Sequence, residues 1–379
     1  MSTDLSTTKA RAIQPFARSA ATVCLAALMC SLSLRAQEIP SAYPVPGTEL
    51  PNVRLVSLGG TISGTAKERL NITNYGAPRV DPQGWIDALP ELALVANVTP
   101  EDQRQPEDRD QRGPTEQHWM KVAKRLQELA TDDSVDGIVV THGTNTMAET
   151  AFFMNLTVDI KKPVVFVGAQ RPWTGLSGDG PVNMYNAVRV AAHSEATGKG
   201  VLQCMNQSIH AARDVTKTSA YRLHTFQSID LGMMGVADPD IVKFYMEPTR
   251  KHTYLSEFNI SELPETLPKV HIVYGYSDAA EFLIDALIEN GVEGIVVDGT
   301  GAGSLSGYSD AVERAQEAGI VVVATARTRG GRVQETPRRL EANVVPGDNL
   351  PPEKARILLQ LALTKTKDVS KISEIFVEY

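Results

Sequence analysis

Cysteine is scarce in this sequence: Cys24, Cys30 and Cys204 are all that 379 residues contain. The first two lie in a segment read below as an export signal. The remaining chain then keeps one thiol and forms no internal disulfide, even in an oxidising compartment, so its stability must come from packing. Basic runs are missing as well. No stretch of Lys and Arg carries interleaved aromatics, and a formal charge of −8 disfavours a phosphate-binding surface, so nucleic acid is a poor partner. A third absence is a long apolar run. The stretch from Ala20 to Leu34 is about fifteen residues, short of the ~20 that a helix needs to cross a bilayer. Lys9, Arg11 and Arg18 precede it and small Ala36 follows. Residues 1–36 therefore read as a signal peptide, with a mature chain from near Gln37 that is periplasmic or secreted and has no membrane segment. Met29 is larger than the small residue that a lipid-anchor site would favour before Cys30.

What is present is a core. A hydrophobic content of 42% with 22% charged residues suits a soluble protein, and the length suits two domains. From Val53 onward, β-branched runs alternate with helical segments: "VRLVSL", "GWIDALPEL", "VDGIVVTHG", "ETAFFMNLTV", "KPVVFVGA", "GPVNMYNAVRVAAHSE" and "GVLQCMNQ". Continuous apolar strands between helices imply a parallel sheet covered on both faces. Residues 241–268 lose that rhythm and contain Pro248, Pro264 and Pro268, which suits a linker. A second, smaller set follows, from "KVHIVYGY" to the helix "PPEKARILLQLALTKTK" with Pro351 and Pro352 at its start. The expectation is an α/β protein with a larger N-terminal, parallel-sheet domain over 51–240 and a smaller C-terminal α/β domain over 269–379. Residues 99–117, without a large apolar side chain, form a solvated loop.

Ligands of open parallel sheets bind where loops leave the carboxyl ends of strands. Two such exits carry hydroxyls. In "LVSLGGTISGT", Gly59 and Gly60 allow a sharp turn that presents Thr61; in "GIVVTHGTNTMAET", Thr144 and Asn145 follow a buried strand. Each alone also reads as an ordinary turn or helix cap. His142 reads as a satisfied core histidine, and Asp179 as the cap of the helix that follows it.

Taken together and in one order, "LGGTIS", "THGTNT", "GAQRP", "DGPVNMYNAV", "HAARDVTKT" and "KARILLQLALTKTKD" resemble the bacterial type II L-asparaginases, which include the glutaminase-asparaginases. The resemblance runs from about Pro51 to Tyr379 and implies a flavodoxin-like larger domain. It also implies a homotetramer whose active sites are closed by a neighbour's smaller domain, a small-molecule amide substrate, and no metal or cofactor. By that resemblance Thr61 is the nucleophile, assisted by Tyr75 of the loop "LNITNYGAPRV". Tyr75 also admits a reading in which it packs against the loop base. Thr144 pairs with Lys217 of "RDVTKT", main-chain groups near Thr144 hold the oxyanion, and Ala169 touches the substrate amide. A threonine hydroxyl is a weak nucleophile and needs such activation.

The sequence departs from this pattern at the groups that recognise the amino-acid head. Asn145 stands where the family has Asp. The family's Ser-Gln or Ser-Glu pair, about eight residues before Trp119, is matched by Gln111 and Arg112. Arg112 reads either as a bidentate carboxylate partner or as a solvated arginine. Glu335 lies beside Thr336 where the family has the neighbouring subunit's Glu, Ser304 is a milder change, and Leu58 replaces a usual Thr. Three readings follow: hydrolysis of L-asparagine to L-aspartate and ammonia, hydrolysis of glutamine or another small carboxamide, or a weakly active binding member of the fold.

Overall fold

The computed structural model describes residues 49–76, 79–104, 114–305 and 307–379. The signal-like segment and the pair Gln111 and Arg112 lie outside them.

The alternation seen in the sequence becomes β1 (Asn52–Ser57), α1 (Pro82–Ala88), β2 (Asn97–Asp102), α2 (Glu116–Ala130), β3 (Gly137–Thr141), α3 (Met147–Thr157), β4 (Val164–Val167), α4 (Gly180–Ala191) and β5 (Val201–Met205). β3 and β4, with the sequences "GIVVT" and "VVFV", are buried along their whole length, as strands covered on both faces must be. The helices begin where side chains satisfy free N–H groups. Asp81 accepts from the Gly84 N–H with Pro82 in the first turn of α1, and Thr115 accepts from the His118 N–H at the start of α2.

Short strands follow: β6 (Ser208–Ala211), β7 (Thr216–Lys217), β8 (Phe226–Gln227), β9 (Gly235–Ala237) and β10 (Val242–Phe244). The large sheet runs β10-β9-β6-β5-β4-β3-β1-β2. The five strands β2-β1-β3-β4-β5 are parallel, and β6, β9 and β10 extend them antiparallel. The order 2-1-3-4-5 is flavodoxin-like and opens a crevice where the direction of winding reverses, between β1 and β3. The antiparallel extension was not expected. Its first residues past 240 form β10, so the stretch read as a linker begins inside the large sheet. Three residues are too few to show a strand period.

The second unit of structure comprises β11 (Val270–Tyr274), α5 (Phe282–Glu289), β12 (Gly294–Gly299), α6 (Ser309–Glu317), β13 (Val321–Ala326), α7 (Pro337–Glu341), β14 (Val345–Pro346), α8 (Pro352–Leu363) and α9 (Val369–Glu378). Its sheet, β11-β12-β13-β14, is parallel throughout. The fold is thus α/β, with a larger N-terminal and a smaller C-terminal sheet. One apolar core connects them: Val140 and Phe166 of the large sheet, Phe152 and Phe153 of α3, Leu358 and Leu361 of α8, and Val296 and Val323 of the small sheet belong to a single buried cluster.

Candidate active site

The two hydroxyl-bearing loops leave β1 and β3, the strands that flank the crevice. They meet backbone to backbone. Gly59 and Gly60 have φ of 83° and 94°, and a Cβ on Gly60 would stand 2.4 Å from the Gly143 nitrogen. Only glycine permits that approach, and it sets Thr61 and Thr144 on one cavity of about 510 Å³.

On the first side, Thr61 opens a short helical turn, Thr61–Ser63. Its Oγ1 lies 2.6 Å from the Tyr75 hydroxyl. The Tyr75 segment is held by the Gly76 N–H donating to the Thr65 carbonyl and the Val80 N–H to the Ser63 carbonyl. A Cβ on Gly64 would lie 2.6 Å from the Tyr75 ring, so the ring rests on a bare backbone. Tyr75 is therefore directed at Thr61 and not merely at its own loop.

On the second side, Thr144 and Asn145 precede α3, whose N-terminus favours negative charge. Lys217, on the small β7–β8 ladder, donates from Nζ to Thr144 Oγ1 at 2.8 Å and to Asn145 Oδ1 at 3.4 Å. The Thr144 hydroxyl in turn donates to Gln170 Oε1 at 3.2 Å. Burial lowers the Lys217 pKa, and no carboxylate pairs with its ammonium among the described residues. The main-chain N–H groups of Thr61 and Thr144 make no hydrogen bond among the described residues, which leaves them free to receive an oxyanion.

Lys217 is placed from far along the chain. Lys354 of α8 is fully buried, and its ammonium donates to the carbonyls of Ala212, Arg213 and Val215 at 2.8, 2.8 and 2.5 Å. These carbonyls line the segment that leads into β7. Burial pulls the Lys354 pKa down to about 7, while three carbonyl acceptors favour the protonated form.

Other expected residues fall in different places. Asp179 does not cap α4 with its side chain. Its carboxylate accepts from the main-chain N–H groups of Gln170 and Arg171, both at 2.9 Å, and so shapes the loop after β4. The reason is geometric: two unpaired N–H groups face it across the loop. The Ala169 methyl is fully buried in the core, so its side chain does not line the cavity. His142 is buried, with Nδ1 2.7 Å from the Gly143 carbonyl, as expected of a satisfied histidine, but it also lines the cavity. Ser304 and Glu335 are exposed and do not belong to the cavity wall of their own chain. Sequence reasoning missed Gln170 and Arg79, which both line the cavity. Gln170 stood in the quoted block "GAQRP", at the exit of a buried strand; Arg79 stood in the quoted Tyr75 loop with no distinguishing pattern. Among the described residues no three His, Cys, Asp or Glu side chains cluster as a metal site would require.

Comparison with known proteins gives two family matches: "Asparaginase, N-terminal" over residues 52–250 and "Glutaminase/Asparaginase C-terminal domain" over residues 269–376. The chain is 44% identical over 344 residues to L-asparaginase 2 of Bacillus subtilis (strain 168), covering 90% of each. It is 40% identical over 338 residues to a probable periplasmic L-asparaginase of Haemophilus influenzae, covering 87% of this chain and 94% of that one. The crystal structure of a probable cytoplasmic L-asparaginase from Campylobacter jejuni matches with a TM-score of 0.82 and 38% identity, over 87% of this chain and 100% of that one.

Proposed function

This chain belongs to the asparaginase family, and we propose that it hydrolyses L-asparagine to L-aspartate and ammonia by attack of Thr61 on the side-chain amide. The observation that carries the assignment of residues is the pair of contacts Thr61–Tyr75 at 2.6 Å and Lys217–Thr144 at 2.8 Å on one cavity wall.

The chemistry proceeds in two halves. Thr61 Oγ1 attacks the amide carbon while Tyr75, within hydrogen-bond reach, takes up the hydroxyl proton and passes it toward the departing nitrogen. The C–N bond breaks, ammonia leaves, and an ester remains on Thr61. Water then attacks that ester. When Lys217 has lost its proton, its contact with Thr144 reverses direction, and Thr144 draws a proton from the water. The lowered pKa of the half-buried lysine makes that deprotonated form accessible. Developing negative charge on the carbonyl oxygen meets the free N–H groups of the two loops and the N-terminal end of α3.

The test is ammonia release by the purified protein. Thr61→Ala should lose at least about 10³-fold in kcat, and Lys217→Met about 10²-fold or more, if they act in acid–base and nucleophilic roles. Undiminished turnover in Thr61→Ala would remove the nucleophile from this account.

We further infer a homotetramer in which Glu335 and Ser304 serve a neighbour's cavity, consistent with their exposure and their absence from the wall of their own. Light scattering at the mass of four chains, with loss of asparagine affinity in Glu335→Ala, supports this; a fully active monomer refutes it. Export rests on residues 1–36, since one related protein is named as periplasmic and another as cytoplasmic. Cell fractionation with and without residues 1–36 decides it.

A further inference from the structure

The cavity wall carries an unusual balance of charge. Its described residues include two cations, Arg79 and Lys217, and no Asp or Glu. Lys217 is answered by neutral oxygens alone, Thr144 Oγ1 and Asn145 Oδ1. Arg79 has no acidic partner among the described residues. Its neighbour Arg104 differs: that guanidinium is bound at Nε to both oxygens of Asp102, at 2.8 and 3.0 Å. Both arginines pass over Gly59, where an added Cβ would meet Arg79 Nη1 at 3.4 Å and Arg104 Cδ at 3.5 Å. One of the two positive heads is therefore neutralised and the other is available beside the Thr61 turn. The Val80 N–H, donating to the Ser63 carbonyl at 2.8 Å, ties Arg79's segment to that turn.

A zwitterionic amino acid brings one carboxylate and one ammonium. Among the described residues of this chain's own wall, Arg79 is available to the carboxylate, whereas the ammonium meets an amide, Asn145, and no acidic side chain; Glu335, inferred above to come from a neighbour, is not part of that wall. A substrate that keeps the carboxylate and the terminal amide but lacks the ammonium removes the charge that this wall itself leaves unanswered.

We propose that the cavity also deamidates the ω-monoamide of a four-carbon dicarboxylic acid without an α-ammonium, succinamate being the simplest, and that Arg79 is the residue that holds its carboxylate. The proposal rests on Thr61 as the nucleophile. The amide C–N bond breaks and a C–O bond to water replaces it, so succinamate and water give succinate and ammonium with no redox change. A guanidinium pairs with a carboxylate through two parallel N–H donors, which orients the chain as well as attracting it. The cavity cations also concentrate anions against the net charge of −8 on the whole chain.

The experiment uses the purified full chain and measures ammonia release from succinamate, L-asparagine and butyramide, the last having the same length without a carboxylate. The expected result is a kcat/KM for succinamate within tenfold of that for asparagine, falling as salt is raised. Arg79→Gln should lower the succinamate-to-butyramide ratio at least tenfold, and Arg79→Lys should restore part of it. Release from asparagine but none from succinamate overturns the proposal and leaves the asparaginase reading standing. Release from neither overturns the asparaginase reading itself. An equal loss on all three amides in Arg79→Gln, with folding intact by circular dichroism, makes Arg79 structural and also overturns the proposal. The wild-type comparison decides the substrate class even if the variants fail to fold.

Discussion

Replacing Asn145 by Asp tests the electrostatics of the site directly. Asn145 Oδ1 lies 3.4 Å from Lys217 Nζ. A carboxylate oxygen at that distance would attract the ammonium by about 5 kcal/mol at an effective dielectric of 20. Lys217 is half-buried and Asn145 is exposed, so water screens the pair and roughly a third of that value survives, near 1.6 kcal/mol. Two consequences follow. The Lys217 pKa, which burial alone now lowers, rises, so the rising limb of the kcat–pH profile moves to higher pH. On the plateau of each profile, asparagine kcat/KM increases at least about tenfold, because the substrate ammonium gains a counter-ion. The succinamate-to-asparagine ratio should fall in the same variant. The assay is ammonia release between pH 6 and pH 10 with both substrates. A profile that does not move, or an asparagine plateau that fails to rise, would show that Lys217 is not the titrating group or that the cavity has been rebuilt around the amide.

Other perturbations have outcomes of similar clarity. Tyr75→Phe keeps the ring on Gly64 and removes the hydroxyl that faces Thr61, so kcat should drop about 10²-fold with little change in KM in steady-state assays. Gly60→Ala places a methyl 2.4 Å from the Gly143 nitrogen at a φ of 94°; a cost of at least about 2 kcal/mol should appear as a lower melting temperature together with lost activity. Glu149, in the first turn of α3, has its pKa pushed up to about 7, first by burial and then by nearby Glu353. Its folded value exceeds the unfolded one, so the stabilisation is complete below about pH 4.5 and is lost as pH rises through 7, by roughly 3 kcal/mol. Glu149→Gln should therefore flatten the fall in melting temperature between pH 5 and pH 8. Lys354→Met leaves three buried carbonyls without a donor and should lower stability by at least about 3 kcal/mol in urea titrations, with a larger fractional loss of kcat than of asparagine affinity.

The parts of the site legible in the sequence were those encoded locally. A glycine pair before Thr61, and Thr144 at the end of a buried β-branched run, announce themselves because strand, turn and hydroxyl are adjacent in the chain. Lys217 was found through the block around it, since nothing in its own neighbours says that it faces Thr144, 73 residues earlier. What stayed hidden depends on groups brought together by folding. Asp179 was read as a cap because a helix follows it, yet its carboxylate accepts from two N–H groups of the loop after β4. Arg79 gained significance only when Arg104 was seen bound to Asp102 and itself was not. The antiparallel strands β6, β9 and β10 were missed because three or four residues carry too little pattern to distinguish a strand from a loop.

The clasp of Lys354 on the carbonyls of Ala212, Arg213 and Val215 has a temporal consequence. Synthesis runs from the N-terminus, so the threonines, the tyrosine and Lys217 all leave the ribosome while α8 is still unmade. Until that helix arrives and docks, the stretch before Lys217 lacks the grip that aims the amine. The nascent polypeptide thus holds every proposed reacting group before it holds the clasp, and the final placement of Lys217 waits until the helix carrying Lys354 has been translated.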